Sequence, residues 1–188
     1  SLIDNWPKWE KKYINISGEK FSGKSHLIDI FLARNKGYKI YAKNLSNEHL
    51  GAIKMYKNII IEDLDENVNE KLLYSLINLI DLENKYLIIT SKLPLNKIRF
   101  KLEDLLSRLK NFILSNISNP DDELMFALIL KNLSDRQISL DKKLINYIIK
   151  RIDRSYGKIF DFIYKIDEIS LKKKKSIDFK IIKEALGE

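Results

Sequence analysis

Gly18-Glu19-Lys20-Phe21-Ser22-Gly23-Lys24-Ser25 fits G-x-x-x-x-G-K-[ST] at every required position. In a loop of this kind, successive backbone N–H groups and the start of a helix converge on phosphate oxygens. The Lys24 ammonium adds a point charge for the outer phosphates, and the Ser25 hydroxyl can ligate Mg2+. Such a loop calls for acids at the end of a neighbouring strand, and Ile59-Ile60-Ile61-Glu62-Asp63 supplies two. One carboxylate would hold the metal through water and the other would polarise an attacking water; the competing reading is a pair of surface acids ending a strand. Phe21 cuts the other way. Many such loops carry glycine there, and where the position needs φ > 0 a bulky residue is strained, so weakened nucleotide affinity is expected.

The loop works only between a strand and a helix, and the flanking patterns supply both. Tyr13-Ile14-Asn15-Ile16 reads as a short strand ending in Ser17-Gly18, and a helix is expected from Lys24 to Arg34, stopped by Asn35-Lys36-Gly37. Strands follow at residues 38–42, 59–61, 86–90 and 112–114, with helices at 47–57 behind the cap candidate Ser46, at 69–84 and at 102–109. The β-branched run at 59–61 is what a strand buried on both faces requires. Alternation of this kind marks a parallel α/β sheet. After Asn119-Pro120 only helical patterns remain, at 120–133, 141–151, 155–171 and 178–186. The expected organisation is an α/β nucleotide-binding core over 1–117 and a small all-helical domain over 118–188.

Composition narrows the chemistry. The 188 residues hold 34 Lys+Arg and 26 Asp+Glu, a formal charge of +8, with 45% hydrophobic and 32% charged residues, an ordinary globular balance. Cysteine is absent, which excludes disulfides, thiolate metal sites and thiol catalysis, and with only His26 and His49 a histidine-rich metal centre is excluded as well. No apolar run approaches the ~18 residues of a membrane span, and no charged-then-apolar leader opens the chain, so a cytoplasmic protein without a membrane partner is expected. The excess charge fits weak, salt-sensitive DNA contact, and equally the Lys, Ile and Asn enrichment of an A+T-rich genome. Lys172-Lys173-Lys174-Lys175 reads as a solvated loop. The first residue is Ser rather than Met, so a trimmed amino terminus is expected.

Several stretches together resemble the DnaA-related branch of AAA+ ATPases, and within it the Hda-type regulators. His26 directly after the loop serine is one, in Lys24-Ser25-His26-Leu27. Ile88-Ile89-Thr90-Ser91-Lys92-Leu93-Pro94 is similar to the sensor I strand and the loop behind it, and Asp104-Leu105-Leu106-Ser107-Arg108-Leu109 resembles the arginine-finger segment in its shorter, Hda-type form. Leu2-Ile3-Asp4-Asn5-Trp6-Pro7-Lys8-Trp9 looks like the lead-in of alphaproteobacterial homologues, and Lys150-Arg151-Ile152-Asp153-Arg154 with Phe160 resembles the Hda lid. The resemblance implies a P-loop NTPase core with a helical lid, binding ATP or ADP with Mg2+ through Gly18, Glu19, Lys20, Phe21, Ser22, Gly23, Lys24, Ser25 and His26. It further implies a negative regulator of replication initiation that is tethered to the DNA polymerase sliding clamp by an N-terminal peptide and presents Arg108 to ATP held by the DnaA initiator. No clamp-binding peptide is visible. A chain ending at Glu188, after the lid, matches the regulator rather than the initiator with its further DNA-binding domain. A guanidinium placed in trans at a developing γ-phosphate charge is worth ~10³–10⁵ in rate; an ordinary surface ion pair is the plain alternative for Arg108.

This chain departs from the family pattern in places. Lys92 stands where Asp usually follows the sensor I serine, which makes Ser91 the better γ-phosphate contact. The sensor II arginine falls on Gly157 or Lys158, with Arg154 one turn earlier, and Glu62-Asp63 replaces Asp-Asp. Together with Phe21 these predict a nucleotide-binding protein that is a poor ATPase alone. Two rival readings stay open, an autonomous helicase-loader-like ATPase acting on DNA and a catalytically inactive adaptor, as does a homo-oligomer. Trp6 and Trp9 read equally as base-packing or core residues; His26 is expected to pack or hydrogen-bond and His49 to lie at the surface. Tyr13, Tyr38, Tyr41 and Tyr86 are expected to be sheet side chains rather than a stacking platform.

Overall fold

β-Branched runs build the sheet, and helices with one apolar stripe cover it. In the computed structural model, which describes residues 5–188, the strands are β1 (Tyr13–Ser17), β2 (Gly37–Tyr41), β3 (Asn58–Leu64), β4 (Tyr86–Ser91) and β5 (Ile113–Asn116). The Leu2-Ile3-Asp4 part of the lead-in segment lies outside the described residues. The strands form a parallel sheet in the order β2-β3-β4-β1-β5, as the alternating pattern requires. Helices α1 (Lys24–Arg34), α2 (His49–Met55), α3 (Glu70–Leu82) and α4 (Glu103–Leu109) connect them.

The run Ile59-Ile60-Ile61 shows why both faces are covered. Ile59 and Ile61 join one core with Ile53 of α2, Leu73, Leu76, Ile77 and Ile80 of α3, and Leu105 and Leu109 of α4. Ile60 points to the other face, where Ile14, Ile16 and Ile88 meet Ile28 and Phe31 of α1. Each such fully buried side chain contributes about 1.5–3 kcal/mol. Trp6 and Trp9 pack on this second core, against Phe31 and Tyr86 with ring centroids 5.6–6.0 Å apart, so they serve the core rather than an open stacking surface.

Gly37, which ends the first crossover, has no room for a side chain. A Cβ there would sit 2.8 Å from Leu32 Cδ2 and 3.0 Å from the Asn58 carbonyl oxygen. Gly37→Ala should therefore destabilise the α/β unit by about 1–3 kcal/mol, read as a lower denaturation midpoint at unchanged slope.

The chain divides into two compact units, one running up to Gly18 and resuming at Gly23–Ile117, the other made of Glu19–Ser22 with Ser118–Glu188. The second unit contains α5 (Asp122–Asp135), α6 (Lys142–Ile149), α7 (Tyr156–Lys173) and α8 (Phe179–Leu186) around Met125, Ile129, Ile145, Ile148, Ile163, Ile166 and Ile182. Short polar caps start each helix: Asp121, Asp141, Ser155 and Asp178 accept backbone N–H groups at 2.8–3.2 Å. The lysine run is exposed as expected, but only its second half is loop. Lys172 and Lys173 close α7, Lys174 takes the left-handed cap conformation at φ 51°, and ion pairs tie Lys172 to Glu168 and Lys173 to Glu184. Positive charge is favoured at a helix carboxyl end, which composition alone does not reveal.

The Asp178 carboxyl is held below the usual Asp range mainly by the Ile181 N–H that it accepts at 2.9 Å. A depressed folded value means the cap stabilises α8 above the ordinary Asp range and is lost as pH falls through the folded value. Hydrogen-exchange protection of the first-turn amides of α8, measured relative to the intrinsic rate at each pH, should fall on acidification in the parent, and Asp178→Asn, a cap without the charge, should remove that dependence.

Candidate functional site

The phosphate-type loop leaves β1 at its carboxyl end. The Gly18 N–H donates to the Ser91 carbonyl of β4 at 3.2 Å, and Lys24 Nζ donates to the Gly18 carbonyl at 2.7 Å, so the nearly buried ammonium folds back across its own loop. Gly23, at φ 89°, caps α1 without any side-chain oxygen, and no acid lies in the first turn of that helix. The amides opening α1 thus carry no competing carboxylate. Ser25 and His26 follow in that first turn and are exposed, so His26 does not pack into the core as expected.

Phe21 adopts φ 67°, the left-handed region in which L side chains are strained by about 1–2 kcal/mol. Its ring stacks on Phe160 of α7 with centroids 4.1 Å apart and planes at 12°, and Lys20 Nζ lies 4.9 Å from its centroid. An aromatic pair of this geometry is worth about 0.5–1.5 kcal/mol, so strain and stack nearly cancel. Phe21→Gly should change stability by under about 1 kcal/mol. Phe160→Ala, which removes the stack and leaves the strain, should cost about 1–3 kcal/mol in denaturant unfolding of the helical unit. Glu19 contributes to the same unit: its carboxylate accepts the Ser155 hydroxyl at 2.8 Å and the Tyr156 N–H, at the start of α7. Burial, reinforced by the Glu19 charge, raises the Tyr156 phenol above its usual range.

The two acids diverge. Glu62 continues the face of Ile60, toward α1, and is fully buried; Lys39 of β2 places Nζ 3.4 Å from Glu62 Oε2 and 3.1 Å from Asp29 Oδ1 of α1. The hydrogen bond to Asp29 and the Glu62 charge hold the Lys39 ammonium above the usual lysine range. Asp63 is exposed at φ 56°, where the β3–β4 register shifts between Ile61 and Leu64, and its N–H donates to Thr90 Oγ1 at 3.0 Å.

Two buried polar groups test whether nucleotide and metal suit these residues. Ser22 Oγ, inside the loop, has no hydrogen-bond partner, and neither does either Glu62 oxygen. Unsatisfied buried groups are costly, and here they are an acceptor-or-donor hydroxyl in the loop and a carboxylate, the chemistry that phosphate and Mg2+ use. Among the described residues no group of three or more His, Cys, Asp or Glu could hold a metal ion.

Ser91 is turned inward. It is fully buried, its hydroxyl donates to the Leu93 carbonyl at 2.6 Å and accepts from Asn15 Nδ2 at 2.8 Å, and a γ-phosphate contact would require exchanging that donation. Lys92 beside it is exposed. In the helical unit Lys158 is exposed in the first turn of α7, and Arg154 pairs with Asp122 at 2.9 Å.

Arg108 lies on α4, which packs with α3 on the sheet face opposite α1. Its Nη1 is 3.2 Å from Asp81 Oδ2, while Asp81 Oδ1 accepts the hydroxyl of Tyr13 at 2.5 Å. Burial first, then that bond to Asp81, pushes the Tyr13 phenol far up. Tyr13 is the first residue of β1 and Gly18 follows its last, so Arg108 sits at the end of the sheet remote from the loop. Its side chain keeps 38% exposure.

Some working residues escape a linear reading. Asn15 in mid-strand binds Ile89 and Leu95 backbone as well as Ser91, fastening β1 to β4 and the loop after it; the only signal is a polar residue inside an apolar strand. Lys39, Asp81 and Tyr13 act across strands and helices and leave no local pattern. His49 is half-buried rather than a plain surface residue, with Nδ1 2.9 Å from the Tyr38 hydroxyl and Nε2 2.9 Å from the Asn44 carbonyl.

Residues 121–186 match the family described as Hda, lid domain. A chromosomal replication initiator protein DnaA of Thermoanaerobacter sp. (strain X514) is 26% identical over 190 residues, covering 88% of this chain and 43% of that protein. The chain thus spans less than half the length of such relatives. Domain III of the Thermotoga maritima replication initiation protein DnaA superposes with a TM-score of 0.76 at 18% identity, covering 98% of this chain and 87% of that one. AMPPCP-bound DnaA from Aquifex aeolicus superposes with a TM-score of 0.69 at 18% identity over 92% of this chain and 63% of that one. With the α/β core, its strand–loop–helix element and the matched helical region in place, the chain is related at family level to the DnaA/Hda-type AAA+ replication proteins.

Proposed function

We propose that this chain binds ATP or ADP with Mg2+ and regulates replication initiation negatively, presenting Arg108 to ATP held by a DnaA-type partner and stimulating its hydrolysis together with the sliding clamp. The observation that carries this reading is the place of Arg108, partly exposed at the end of the sheet remote from the chain's own loop. A guanidinium there cannot serve the nucleotide of its own chain and is free to serve a neighbour's. Family relationship, the lid match, and the AMPPCP held by a DnaA of the same fold support it.

Loop amides, Ser22, Lys24 and Ser25 would hold the phosphates, with Ser25 and Asp63 beside the metal and Glu62 joining them only in so far as Lys39 yields it. Mg2+ supplies charge neutralisation on the outer phosphates when bound. Phe21 in a strained conformation and Lys39 beside Glu62 both favour weak turnover by the chain alone.

Turnover assays separate the readings. The chain alone should hydrolyse ATP negligibly and should accelerate hydrolysis when DnaA, clamp and DNA are present. Robust DNA-stimulated turnover by the chain alone would point to an autonomous ATPase, and absence of nucleotide binding to an inactive adaptor.

A further inference from the structure

A fully buried carboxylate with two unbonded oxygens needs a counter-charge nearby, because isolated burial of an ion is severely unfavourable. For Glu62 that charge is Lys39, whose ammonium lies 3.4 Å from Oε2 and is shared with Asp29 of α1 at 3.1 Å. Lys39 comes from β2, the edge strand beside β3, so it reaches Glu62 along the sheet face that α1 covers. An ammonium this close to the carboxylate opposes a second cation on the same oxygens, since like charges at such separations repel strongly in a poorly solvated setting.

We propose that Lys39 is the resident counter-cation of Glu62 and thereby sets the metal dependence of the site: nucleotide binds with little help from Mg2+, and removing the Lys39 charge turns Glu62 into a divalent-cation ligand. The nucleotide half of this rests on the proposed function; the cation half concerns Lys39 and Glu62 alone and is read without nucleotide.

The test is a thermal melt of the nucleotide-free chain with and without millimolar Mn2+ or Mg2+, beside ADP titrations in Mg2+ and in EDTA. The parent melt should not respond to the cations, and its ADP affinity should change less than threefold. Lys39→Met should melt lower than the parent and recover by about 3 °C on adding cation, a response lost in the Lys39→Met, Glu62→Gln double variant. Lys39→Arg should behave as the parent. A cation-dependent melt or a tenfold loss of ADP affinity in EDTA for the parent overturns the proposal, as does a folded Lys39→Met variant that ignores the cations. If Lys39→Met does not fold, the parent and Lys39→Arg measurements decide. If ADP fails to bind in any buffer, the nucleotide reading falls and the melts still decide the role of Lys39.

Discussion

Arg108→Ala should abolish stimulation of the partner's ATP hydrolysis, a loss of about 10³-fold or more if the guanidinium works in trans. The fold should survive. Arg108 and Asp81 pair at 3.2 Å with side chains 38% and 50% exposed, and pairs so open to solvent contribute about 0–1 kcal/mol. Loss of stimulation with an unchanged melting curve would therefore report chemistry rather than unfolding. ADP affinity should also stay unchanged, because α4 and α1 lie on opposite faces of the sheet. Arg108→Lys keeps the charge but loses the planar fork that matches phosphate oxygens, so it should recover only a small part of the rate. The measurement is single-turnover hydrolysis of ATP preloaded on DnaA, with clamp and DNA held constant. Equal stimulation by Arg108→Ala and parent would return this arginine to the status of a surface ion pair.

Lys24→Ala should weaken ADP and ATP binding by about 10- to 100-fold, the range for losing a hydrogen bond to a charged group. The ammonium already lies across the loop, donating to the Gly18 carbonyl at 2.7 Å, and a nucleotide that takes over this donor gains a bond whose geometry is largely prepared. Titration calorimetry on parent and variant gives both affinities. Lys24→Arg should not substitute, since a wider head group in a nearly buried position would displace the loop. Stability controls are needed, because losing the Gly18 contact loosens the turn itself.

Local patterns carried most of the fold. The triple isoleucine of β3, the Asn35-Lys36-Gly37 stop and the apolar stripe of α3 each meant the same thing locally and in the assembled sheet. Ends were harder. Ser46 looks like a helix cap, yet the helix begins at His49 behind Glu48 with no side-chain cap, because the intervening residues make turns. The strand expected at 112–114 lies at Ile113–Asn116, set by pairing with β1 rather than by its own composition, with Phe112 left to the core on the α3 and α4 face. Lys172 to Lys175 reads as loop by charge, and Lys174 and Lys175 do leave the helix, but helix polarity and two carboxylate partners recruit Lys172 and Lys173 into the end of α7.

At the candidate site the same divide holds. Contiguous residues 18–25 are visible as a strand–loop–helix unit, and the bulk of Phe21 at a position suited to glycine was legible as strain, which its φ of 67° bears out. What stacks against it was not, since Phe160 comes from a helix far along the chain. The pairing of Glu62 with Lys39 depends on strand order and side-chain face, and that of Arg108 with Asp81 on helix packing. Neither can be read from spacing. These cross-element contacts decide how the acids and the arginine can act.

The most direct test is calorimetric titration of ADP into the parent chain, without partners or DNA. One saturable site of submillimolar affinity is the expected result. Heats indistinguishable from dilution at millimolar ADP and ATP, the same in parent and Lys24→Ala, would contradict the claim that residues 18–25 wrap a polyphosphate.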